Sequence, residues 1–175
     1  MNLSRPQPKS LDQQLHRAVR DGKLERVLAL LNKRANPNST DKMGRTTMHH
    51  AAHRGYLPIA QELHRYGAAL EPKDKSGVTP GHLAARRGYT LVLEFLLAHK
   101  VNPEATDGFG RTFLHEAVDH RRVEAVKLLV GRGVNLLAED HSGVTPLEIS
   151  TYSRVREHEI KETIGRAARL QKATK

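Results

Sequence analysis

Apolar residues recur along this chain at helical spacing, in short segments that come in pairs. Leu57, Ile59, Ala60 and Leu63 mark one segment and Val123, Val126, Leu128 and Leu129 another. Polar residues fill the remaining positions, as in helices with one buried face. Ahead of the second helix of a pair comes a segment built on a small couple, Ala51/Ala52 or Ala84/Ala85, which predicts a thin helix suited to close packing. Gly55 and Gly88 stand where that first helix should stop, since glycine takes the left-handed conformation of a helix C-terminus without steric cost.

The pairs keep one register. Asp41, Asp74, Asp107 and Asp140 are spaced by 33, as are Gly44, Gly77, Gly110 and Gly143, and Thr46, Thr79, Thr112 and Thr145. Asp with a flexible Gly shortly after it predicts a tight turn at a hairpin tip. The Thr sits where a helix N-cap is wanted, and Pro80 and Pro146 follow at the first helical position, where a missing N–H costs nothing. One such unit cannot bury its own apolar face, so it must stack on its neighbours. With TPGHLAA at 79–85 and TPLEIS at 145–150, the sequence resembles the ankyrin repeat family, whose signature has this period and a T-P-L-H-x-A core.

That resemblance implies an all-α fold, a solenoid of stacked helix-turn-helix units with β-hairpin-like tips. Five units are expected, at about 10–40, 41–73, 74–106, 107–139 and 140–165, between a flexible N-terminal tail at 1–9 and a basic C-terminal tail at 166–175. The first lacks an upstream tip and reads as an N-terminal cap. In the fifth, Ile160, Ile164 and Ala168 suggest an amphipathic capping helix.

Some positions depart from the pattern. Gly81 stands where Met48, Leu114 and Leu147 occupy the equivalent places. Glycine costs a helix about 1 kcal/mol against alanine, so the sequence predicts a weakened stack and a higher unfolding midpoint for Gly81→Leu. Arg121 replaces the helix-ending glycine, Lys100 replaces a turn glycine, and Glu62 sits where leucine is usual; these read as loop variation and slack packing.

Composition narrows the function. The chain of 175 residues has no cysteine, which excludes disulfides, thiolate metal sites and thiol nucleophiles and points to a cytoplasmic or nuclear location. No stretch stays free of charge long enough to suggest a membrane span. Eleven histidines raise the possibility of metal binding, and His49 with His53 has the i, i+4 spacing of two zinc-binding imidazoles. The repeat accounts for them better: His49, His82 and His115 share one column, and the resemblance implies hydrogen bonding within the turn. His115-Glu116-Ala117-Val118-Asp119 approximates H-E-x-x-H but ends in Asp. With no phosphate loop and no nucleophile elbow, neither an enzyme nor a cofactor is expected.

Lysine and arginine total 29 against 19 acidic residues, a formal charge of +10. In the family's architecture the tips and first helices line a concave face, which implies a partner-binding surface of Lys42, Met43, Arg45, His53 and Arg54 in unit two. Lys75, Val78, Arg86 and Arg87 continue it in unit three, Phe109, Arg111 and His120 in unit four, and Tyr152 in unit five. Apart from the turn aspartates this set is rich in cations and almost free of acid, whereas the second helices hold Glu25, Glu62, Glu94 and Glu124. A concave surface of one sign concentrates the opposite charge. The expectation is a monomeric adaptor or scaffold that binds an acidic protein or peptide. Nucleic acid is the alternative, weakened by the lack of aromatic stacking platforms, and a membrane-bound role lacks a large apolar face.

Overall fold

The computed structural model describes residues 10–152 and 158–173, with the backbone alone at 152 and 171–173. The tail at 1–9 and residues 153–157 and 174–175 lie outside the described residues. Helices α1 (Leu11–Arg20), α3 (Thr47–Arg54), α5 (Pro80–Arg87), α7 (Phe113–Asp119) and α9 (Pro146–Tyr152) are the first helices of the units. Helices α2 (Leu24–Asn32), α4 (Leu57–Arg65), α6 (Thr90–Ala98), α8 (Val123–Gly131) and α10 (His158–Ala173) are the second. Each odd helix packs on the next odd one and each even helix on the next even one, which gives two layers joined within every unit. No strand occurs among the described residues. α10 continues through residues 166–173, beyond the point where the repeat pattern fades, because Ile164 and Ala168 are buried on its inner side, where it packs on α8 and α9.

The tips follow from the aspartate column. Asp74 Oδ1 accepts the N–H groups of Ser76 (2.8 Å) and Val78 (3.0 Å), and Asp74 N–H donates to Val78 O (2.9 Å). Asp41, Asp107 and Asp140 repeat this geometry. Successive tips are tied together where Lys75 N–H donates to Met43 O (3.0 Å), Gly108 N–H to Ser76 O (2.8 Å) and His141 N–H to Phe109 O (2.9 Å). Gly77 has φ 74°, and a Cβ there would lie 2.6 Å from Gly108 N, so both conformation and space require glycine.

The histidine column fastens each unit to the next. The backbone N–H of Thr46 donates to His49 Nδ1 (3.0 Å), so the ring carries its proton on Nε2, which donates to Val78 O in the following tip (3.0 Å). His82 and His115 make the same pair of bonds, ending on Arg111 O (2.9 Å) and Val144 O (3.1 Å). In the fifth unit Glu148 takes the column and accepts from Thr145 N–H (2.8 Å), a capping box that satisfies the cap without reaching forward.

The core forms two clusters, one around Leu15, Val27, Met48 and Leu63 and one around Leu93, Leu114, Val126 and Ile160, with Leu70 and Phe95 packed against both. Gly81 does not weaken it. Phe113 is fully buried, and its ring occupies the space that a side chain at 81 would need: a Cβ on Gly81 would lie 2.1 Å from Phe113 Cζ. The expectation that Gly81→Leu raises the unfolding midpoint is thereby reversed. Arg121 and Lys100 hold the left-handed backbone of the glycines they replace, at φ 57° and 64°.

Candidate functional site

The tips and the C-terminal ends of the odd helices face the same side, since Arg111 reaches from its tip to Asp119 at the end of α7 (2.9 Å). Along this face Lys42, Arg54, Lys75 and Arg87 are exposed, and none has a carboxylate partner among the described residues. Arg87 Nη2 donates to His53 Nε2 (3.0 Å) across one repeat, which requires a neutral imidazole. Burial, together with Arg87, Arg54, Arg45 and Arg86, lowers the affinity of His53 for a proton. Met43 and Phe109 project from their tips, 54% and 68% exposed.

Three arginines predicted for this surface are held by acids: a turn aspartate, the buried Glu116 and Asp119. Arg45 Nε bonds Asp74 Oδ2 (3.0 Å), whose side chain is buried. Arg86 Nε bonds Glu116 Oε2 (2.6 Å), and Arg111 lies 3.6 Å from Glu116 Oε1 while pairing with Asp119. Glu116 is fully buried, and His120 Nδ1 stands 3.6 Å from it. The bond to Glu116 raises the Arg86 pKa above its ordinary value. A carboxylate at this depth is tolerated because it is paired and hydrogen-bonded. Glu116 shares a column with His50 and Leu83, so no periodic signal marked it; its i, i+3 relation to Asp119 was the available clue.

Val78 is corrected as a contact residue. It is 5% exposed, and its carbonyl and N–H are committed to His49 and Asp74. The side chain of Tyr152 lies outside the described residues.

Unit one, a cap by its sequence, also borders this face, which no repeat column marks. A cleft of about 690 Å³ lies between α1 and the tip of unit two, lined by His16, Arg17, Arg20, Lys42 and Met43 among others. At its wall His16 and His50 meet edge to face at 5.4 Å, and His50 Nε2 lies 3.2 Å from Asp41 Oδ2. Burial, with His16 adding to it, pushes the His50 pKa down to about 4. Among the described residues no group of histidines and carboxylates is arranged to hold a metal ion, and no helix is long and apolar enough to cross a membrane.

The family model of ankyrin repeats (three copies) matches residues 15–107 and 92–163. The chain is also similar to the human oxysterol-binding protein-related protein 1, 41% identical over 69 residues; the match takes in 38% of this chain and 7% of that protein's length.

Proposed function

The chain belongs to the ankyrin-repeat family, whose repeats are protein–protein interaction modules and generally not enzymes, and from that premise we propose that it is an adaptor or scaffold that holds an acidic protein or peptide against its tips and odd helices. The observation that carries this reading is the run of exposed, unneutralised cations at Lys42, Arg54, Lys75 and Arg87. Such a surface attracts and orients an acidic partner. Met43 and Phe109 offer apolar contact beside it, and anchors of this kind supply much of the energy of an interface. A monomer in the cytoplasm or nucleus is consistent with this use.

The test is affinity capture from cell extract with the wild-type chain and with Arg54→Glu/Arg87→Glu, in the presence and absence of polyglutamate and of duplex DNA. Proteins lost from the variant and displaced by polyglutamate are the expected result. Capture unaffected by the reversals, or displaced by DNA alone, would remove the acidic-partner reading. Arg45 and Arg86 are unsuitable for this experiment, because reversing them would strand Asp74 or Glu116.

A further inference from the structure

Resting on that reading, we infer that the acidic segment lies along units one to three, starting in the cleft beside α1, and is turned away at unit four. Equivalent positions near the ends of successive odd helices carry Arg20, His53, Arg86 and Asp119, and the next positions carry Asp21, Arg54, Arg87 and His120. Arginine thus occupies one or both positions in units one to three and neither in unit four, where an acid takes its place. Compensation sharpens this contrast. Arg86 and Arg111 both neutralise Glu116, and Arg111 also neutralises Asp119, whereas Arg20, Lys42, Arg54, Lys75 and Arg87 face no carboxylate partner among the described residues.

The α1 cleft belongs to the arginine-bearing units. Its one carboxylate among the described residues, Asp41, is committed to the N–H groups of Met43 and Arg45 and to His50, and Arg17 is paired loosely with Asp21 at 3.6 Å. That leaves Arg20 and Lys42 on either side of an opening edged by Met43. An acidic residue next to an apolar one suits this end.

Spacing gives the form of the ligand. Neighbouring helices in one layer sit about 8–10 Å apart, and an extended chain advances about 3.3 Å per residue. An extended peptide with an acid at about every third residue therefore meets one cation per unit. A folded acidic domain would have to present the same spacing on one edge.

The probe is a synthetic peptide of about nine residues with Glu at every third position and Ser and Gly between, titrated at low ionic strength into the isotopically labelled full chain. Amide signals of the α1 end, of tips 41–45 and 74–78 and of the ends of α3 and α5 should move saturably, while Asp119 and His120 stay still. Binding centred on unit four or on the even helices would overturn the inference and leave the interaction reading standing. Failure of the peptide to bind, with a Lys-substituted peptide binding instead, would defeat that reading itself. In parallel, Arg20→Glu/Lys42→Glu should weaken peptide binding about tenfold, and Arg132→Glu/Arg169→Glu, which changes net charge equally elsewhere, should weaken it far less. Equal losses would show that net charge alone acts and would sink the assignment to α1.

Discussion

At the scale of single residues, the departures from the repeat carry the most information. Gly81 was legible as a gap in its column, but the ring that fills it comes from Phe113 in the next unit, where units three and five have proline. A column compares each position with its own kind, so compensation from a different column stays hidden until the side chains are packed. Gly81→Leu should destabilise the chain by about 1–3 kcal/mol through overpacking, measured by urea denaturation. Adding Phe113→Pro should recover part of that loss, as coupled neighbours do; a stabilised Gly81→Leu single variant would mean that Phe113 moves away freely. Glu116 teaches the same lesson. Its pairing with Arg86 could not be read from a sequence separation of 30 residues.

At the scale of the element, the histidine ladder makes the units depend on pH. His49, His82 and His115 each accept through Nδ1 and donate through Nε2, so protonation of Nδ1 breaks the bond to the threonine cap. Burial lowers all three below the ordinary value of 6.5. A proton therefore binds the unfolded chain better than the folded one, and the stabilisation is complete above about pH 6.5 and lost as pH falls below it. His50, at about 4, adds to the loss on the acid side. The urea midpoint should fall between about pH 7.5 and pH 5, and a constant midpoint would show that the imidazoles stay unprotonated at no cost. The column itself was plain in the sequence. The direction of each hydrogen bond, and the reason Glu148 ends the series, needed the neighbouring tip.

At the scale of the whole molecule, the stack sorts its cations into two classes. Arg45, Arg86 and Arg111 hold buried or half-buried acids, whereas Arg54 and Arg87 face solvent. Breaking one partner of a buried pair strands a charge, so Arg86→Glu should cost about 3 kcal/mol, while Arg54→Glu should stay within about 0.5 kcal/mol of wild type, as surface changes do. Matched unfolding curves for the two variants would contradict this division. The period, the tips, the caps and the pairing of helices were determined by sequence alone, because each depends on residues close together in the chain and is repeated until chance is excluded. Which arginines are free, that α1 borders a cleft with the tip of unit two, and that Phe113 fills the space at Gly81 were decided only by the tertiary structure. Most of those contacts join residues about one repeat apart, and their energy depends on burial, which no linear pattern records.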